Sequence, residues 1–175
     1  ANRIVCMSSS HIAMLDAIGA VESVVGVSGK GFITNPYIVA NQRTIADVGY
    51  DGNINFELLV AQRPDIVLLY GVTGACTMQS KLDELDIPYI YIGEYVEEDP
   101  LGKTEWLIAI AEIVGCRKHG ITYFSEVPKR YEHLKSLAAS AQTPTPKVMI
   151  NTPYADSWFM ASATSYVARL IADAG

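Results

Sequence analysis

Ser8, Ser9, Ser10 and His11 stand directly behind the first apolar run of the chain, Arg3 to Met7. Hydroxyls at a helix start can hold an anionic group together with the free backbone N–H donors of the first turn. Serine beside histidine is also a pairing from which nucleophilic catalysis is built. Lys30 and Phe32 follow a second apolar run, Val24 to Val27; Tyr70 ends a third, Ile66 to Tyr70; Glu94 and Tyr95 follow a fourth, Pro88 to Ile92. Singly, each of these reads first as a loop or cap residue. Together they share the carboxyl ends of predicted strands, where open α/β sheets place their ligand crevices. His11 either lines that crevice or sits in a first helical turn.

Complete catalytic and metal signatures are missing. Gly26-Val27-Ser28-Gly29-Lys30 nearly matches a nucleophile elbow, but the last glycine is displaced by one and no helix pattern follows, so the stretch reads as a turn. It also lacks the spacing of a phosphate loop, and no GxGxxG occurs. His119 and His133 fall on a later helix and read as solvated, which leaves no set of three or four converging metal ligands around His11. Cys6, Cys76 and Cys116 form an odd set without CxxC spacing, so neither a zinc site nor a complete disulfide framework is expected. Cys6 reads as a small buried hydrophobe. No cofactor and no metal are expected. A Rossmann-like α/β enzyme working at the strand carboxyl ends, with Ser10 or His11 as reactive group, stays as the alternative reading.

The elements that must position these residues alternate between strand and helix. Ser9 or Ser10 caps a helix carrying Ile12, Leu15 and Ile18 on one face and stopped by Gly19. After Val24 to Val27 comes an irregular segment, Ser28 to Asp51, of a length that goes with function inside a compact domain. A short helix around Phe56 to Ala61 turns Phe56, Leu59 and Val60 to the core and keeps Glu57 in its first turn, where the helix dipole favours a carboxylate. Arg63-Pro64-Asp65 ends it, and the apolar run from Ile66, too short for a buried helix, reads as a parallel strand covered on both faces. A helix near Met78 to Leu85 and the strand Pro88 to Ile92 follow.

Asp99-Pro100 opens a helix whose Leu107, Ile110 and Val114 share a face before Gly115. Phe124, Val127, Tyr131, Leu134 and Ala138 then recur at spacings of three and four, and Pro128 among them predicts a kink or a helix that begins nearby. Gln142 to Pro146 is a linker, followed by a predicted strand, Lys147 to Ile150, and helix, Ser165 to Ala174. The fold class is therefore α/β: a Rossmann-like parallel-sheet lobe over residues 1–115, a long linker helix over 116–142, and the beginning of a second α/β lobe over 143–175. One strand and one helix do not enclose a core, so the chain reads as truncated.

Half of the 175 residues are hydrophobic, enough for a sizeable core without disulfide or metal. A net charge of −6 and the absence of any Lys/Arg run argue against nucleic acid and against an anionic membrane surface. Ten tyrosines against four phenylalanines suit a wet binding cleft, since Tyr joins a flat apolar face to a hydroxyl. No leader and no apolar stretch long enough to span a bilayer are read, but an exported protein stripped of its leader would look the same.

The ordered set Arg3-Ile4-Val5, Asn55-Phe56-Glu57, Arg63-Pro64-Asp65-Ile66-Val67, Gly115, Asp156-Ser157-Trp158-Phe159-Met160 and Ser165 to Gly175 resembles the substrate-binding proteins of ABC importers that carry siderophores, haem and vitamin B12. Pro100 to Trp106 and the Trp158 region look most like the iron-complex subgroup. The resemblance implies two α/β lobes joined by one long helix, a small-molecule chelate held in the cleft between them, and no enzymatic activity. It places Tyr50 and Tyr70 where relatives put cleft aromatics, and Trp158 or Phe159 where the second lobe contributes one. Glu57 falls where the family has an exposed glutamate that pairs with arginines of the membrane permease. The metal-ion branch needs several His and carboxylate ligands, and this chain offers only His11. The implied protein is a monomer, periplasmic or lipid-anchored outside the cytoplasm, with its export signal outside this chain.

Overall fold

The computed structural model describes residues 1–50, 53–71, 77–141 and 144–175. Asp51, Cys76, Gln142 and Thr143 lie outside the described residues. The elements in chain order are β1 (Ile4–Cys6), α1 (Ser9–Ala17), β2 (Val24–Val27), α2 (Pro36–Ala40), β3 (Ala46–Asp47), β4 (Gly49–Tyr50), β5 (Asn53–Ile54), α3 (Phe56–Ala61), β6 (Ile66–Leu69), α4 (Thr77–Glu84), β7 (Tyr89–Tyr91), α5 (Pro100–Ile113), α6 (Arg117–Ser140) and α7 (Tyr166–Asp173).

Five strands form one sheet in the order β3-β2-β1-β6-β7, every neighbouring pair parallel. Val5 pairs with Val67, and Cys6 with Leu68. Alternate side chains of β1 enter different layers, as the pleat requires. Ile4 and Cys6 join Ile12 and Leu15 of α1 and Leu107 and Ile110 of α5. Val5 and Met7 join Leu59 of α3 and Leu82 of α4. Helices thus cover both faces, which is why β1 and β6 read as unbroken apolar runs.

The segment expected to be irregular from Ser28 onward carries α2, β3 and β4 over its described residues 28–50. Asn35 caps α2 by accepting from the backbone N–H groups of Tyr37 (3.0 Å) and Ile38 (3.2 Å), and β3 adds a fifth strand to the sheet. Gly49 then turns the chain into the β4–β5 hairpin at φ +83°, where a Cβ would stand 2.2 Å from the Asn53 carbonyl oxygen, so only glycine fits. In α3, Leu59 is buried and Phe56 half-buried, but Val60 is exposed. It lies one step of about 100° round the helix from Leu59 and misses the core.

Asp99 caps α5 as expected, accepting from Leu101 N (2.8 Å) and Gly102 N (3.1 Å) with Pro100 in the first turn. The helix α6 runs continuously through Pro128, so it does not begin there. It meets α5 closely at Gly120, whose added Cβ would lie 2.5 Å from the Ala111 Cβ. Gly120→Val is expected to lower stability by about 1 kcal/mol, the lower end of overpacking costs, because the site lies near a helix start that can shift. Urea denaturation would read this as a lower midpoint.

Residues 147–150 form no strand: they are largely exposed and pair with no other strand among the described residues. An apolar run needs a neighbouring edge before it becomes sheet. The α7 helix does form, and it docks on α6 and α5. Asp173 accepts from the Tyr131 hydroxyl (2.7 Å) and pairs with Lys135 (2.9 Å), while Arg169 reaches Glu98 (3.4 Å) and Asp99 (3.7 Å). At the amino edge of the sheet, the Ala1 ammonium donates to Ile113 O (2.7 Å). Asp65 accepts there from Asn2 N (2.7 Å) and Arg3 N (3.0 Å), bonds that hold its carboxyl below the usual range. No helix among the described residues is long and apolar enough to cross a membrane.

Candidate functional site

The strand order reverses between β1 and β6, because the chain moves outward through β2 and β3 before returning to the other side of β1. In open α/β sheets the crevice opens at such a switch point, beyond the carboxyl ends. The ladder is maintained up to that edge: Met7 N donates to Leu68 O (3.0 Å), Ser28 N to Cys6 O (3.1 Å), Val48 N to Val27 O (2.9 Å) and Ile92 N to Leu69 O (2.9 Å). Residues just beyond these bonds therefore stand on a rigid base.

Four aromatic residues follow these strand ends. Phe32 is 83% exposed, Tyr95 65%, Tyr50 55% and Tyr70 43%. Phe32 and Tyr50 meet edge to face, with ring centroids 6.4 Å apart at 82°. Asp47 sets their two turns, accepting from Lys30 N (3.1 Å) through Oδ2 and from Gly49 N (3.1 Å) through Oδ1. Large rings left in water at a sheet edge are informative in a way that single exposed leucines are not.

Lys30 does not offer its charge to the crevice. Its Nζ donates to the backbone carbonyls of Gln42 and Ile45, tying the loop to the approach to β3. The flexible lysine stem reaches both carbonyls at once. Lys30 is therefore a loop clasp, where a ligand contact was expected.

His11 takes the second of its two expected places, the first turn of α1. It is fully buried, 0% exposed, with Nε2 3.8 Å from Glu94 Oε2. That separation is too long for a hydrogen bond, and neither imidazole nitrogen has a hydrogen-bond partner among the described residues. Ser8 caps α1 by accepting from Ser10 N (3.3 Å), and its hydroxyl meets that of Ser10 (2.8 Å). The Ser10 hydroxyl donates in turn to Glu94 Oε1. Burial pushes the Glu94 carboxyl up, but the Ser10 and His11 contacts and the positive charge of Lys103 outweigh it and leave the group below its usual range. Of the Ser-His pair expected for an enzyme, His11 is thus buried under the edge, and Ser10, half-buried, gives its hydroxyl to a carboxylate. Ser9 is exposed beside it.

Trp158 and Phe159 belong to a segment that folds on itself. Trp158 Nε1 donates to Ile150 O (3.1 Å), Asn151 Nδ2 donates to Phe159 O (2.7 Å), and Tyr154 and Ser157 exchange backbone bonds of 2.9 and 3.1 Å. No hydrogen bond among the described residues brings either ring to the sheet edge. Glu57 stands exposed in the first turn of α3, where Asn55 caps the helix by accepting from Leu58 N (2.9 Å). A groove of about 580 Å³ runs along the outer side of α5 past Trp106 and Arg117, away from the aromatic rings.

Glu94 and Asp47 are the polar residues on which this edge depends most. The sequence marked Glu94 only as a strand-end residue and did not mark Asp47. Glu94 and Ser10 are 84 positions apart, and only the crossover from β1 to β6 and β7 brings them together.

The sequence matches the periplasmic binding protein family over residues 4–175. It is 29% identical over 180 residues to an uncharacterized lipoprotein of Methanocaldococcus jannaschii, covering 97% of this chain and 42% of that protein. Among solved structures it resembles a periplasmic haem-binding protein of Pseudomonas aeruginosa, with TM-score 0.66, 19% identity, and 81% of this chain and 48% of that one covered. It also resembles the periplasmic vitamin B12 binding protein BtuF of Vibrio cholerae, with TM-score 0.63, 18% identity and coverage of 79% and 51%. The chain thus spans about half the length of these solved structures.

Proposed function

Because the chain belongs to the periplasmic binding protein family, we propose that it is the substrate-binding component of an ABC importer for a metal chelate, an iron–siderophore complex, haem or a corrinoid. The observation that carries this reading is the row of exposed rings, Phe32, Tyr50, Tyr70 and Tyr95, on the carboxyl edge of a rigid parallel sheet. Flat apolar faces with a few hydroxyls suit a bulky chelate better than a small polar metabolite. Haem and vitamin B12 as the cargo of structurally similar proteins support the same reading. Ligand capture needs no catalytic group, in keeping with the burial of His11 and the engagement of the Ser10 hydroxyl with Glu94. Absorbance spectra and native mass spectrometry after incubation with haem, cobalamin and ferric siderophores test the proposal. Failure of every chelate to bind would overturn it.

The protein acts outside the cytoplasm, periplasmic or lipid-anchored, a placement that the related lipoprotein supports. It works as a monomer, with Trp158 and Phe159 supplying rings from the far side of the crevice. Glu57 is the permease contact in this reading, supported by its exposure at a capped helix start. Glu57→Lys should leave chelate affinity and melting temperature unchanged but lower chelate-stimulated ATP hydrolysis by the reconstituted importer, because like charges would then face each other. The loss should shrink at high salt, as expected of a screened rim charge. Loss of chelate affinity with docking intact would assign Glu57 to the crevice instead.

A further inference from the structure

Chelates that fill a crevice of this kind differ sharply in charge. Three hydroxamates balance Fe³⁺ and leave a neutral core, to which a free amine adds a positive charge, whereas three catecholates leave a charge of −3. An anion buried against aromatic rings needs a cation or backbone N–H groups to replace its lost water. Ring faces carry negative potential and attract cations.

The edge offers little to an anion. Lys30 Nζ is committed to the Gln42 and Ile45 carbonyls. Lys103 Nζ donates to Glu94 O (3.0 Å) and lies 4.7 Å from the centre of the Tyr166 ring. Arg43 is in the turn that enters β3 from its amino end. Residues 51–52 and 72–76, outside the described set, contain no Lys or Arg in the sequence. Side-chain caps occupy the starts of α1 (Ser8, beside the Glu94 carboxylate), α2 (Asn35), α3 (Asn55) and α5 (Asp99). Asp47 adds exposed negative charge.

We infer that this wall of the crevice selects neutral or cationic chelates and disfavours strongly anionic ones, an inference that rests on the chelate-binding reading above. The test titrates the full chain by fluorescence quenching with three probes: a cationic ferric trihydroxamate, a neutral ferric trihydroxamate and a ferric tris-catecholate. The cationic and neutral probes should bind at least about tenfold more tightly than the tris-catecholate at low salt, with the gap narrowing as salt is added. Phe32→Lys should reverse part of the preference, and the exposure of Phe32 lets the variant fold. Equal or tighter binding of the tris-catecholate by the unaltered protein, or an unchanged preference in Phe32→Lys, would overturn the charge inference while the chelate reading stands. Binding of none of the three would overturn both.

Discussion

Glu94→Ala should lower the stability of the protein by roughly 1–3 kcal/mol, the range for leaving a buried hydrogen-bonding group without its partner. The carboxylate is 2% exposed, and the hydroxyl of Ser10 and the ring of His11 face it from α1. Without it, His11 stays fully buried with both nitrogens lacking hydrogen bonds, and Ser10 loses its acceptor. The carboxyl lies below its usual range in the folded chain, so the unfolded chain binds the proton more readily. Its contribution is therefore complete above the unfolded carboxyl value and is lost as pH falls through the folded one, a window that opens at the ordinary glutamate range and runs downward. Glu94→Gln keeps the shape and an oxygen acceptor for Ser10. It should be less damaging than alanine and should remove this part of the acid sensitivity. Urea denaturation at pH 7 and at acid pH measures both effects. Identical pH dependence in the original protein and in Glu94→Gln would show that another group sets the acid limb.

Replacing Tyr50 and Tyr70 together by alanine should weaken chelate binding by about 1–3 kcal/mol, roughly 5- to 150-fold in dissociation constant. Both rings stand at strand ends and are half-exposed, so the same change should cost little stability, within about 0.5 kcal/mol per site. Isothermal titration against the chelate found to bind, set beside the melting temperature, separates the two quantities. A large fall in melting temperature with unchanged affinity would mean that the tyrosines serve the packing of the edge.

Some parts of this architecture are written locally in the chain. The strands β1, β2 and β6 were legible because burial from both faces leaves short apolar runs between turn residues, and the edge strand β7 as a short apolar run although Ile90 is exposed. The start of α5 was legible because Asp99-Pro100 carries its own cap, and that of α1 only to within a residue, since Ser8 caps it where Ser9 or Ser10 was expected. The third strand was not: Ala46-Asp47 has no strand pattern, and only pairing with Gly26 and Val27 makes it sheet. Lys147 to Ile150 shows the reverse, a strand pattern with no paired edge. Within the site, exposed tyrosines at strand ends could be anticipated from position. The Lys30 clasp and the Ser10–Glu94–His11 cluster could not, because each depends on which carbonyl or carboxylate the tertiary fold brings near.

The anchoring of Ala1 to Ile113 and of Asn2 and Arg3 to Asp65 has a practical corollary. The chain start is fastened at the amino edge, and β1 then runs across the sheet to the opposite rim, where the rings stand. A dye, bead or surface coupled at residues 1–3 would keep its linker on the far side from the rings. Immobilisation at that end should therefore present the aromatic rim to free solution, whereas a tether at Ser9 would lie across it.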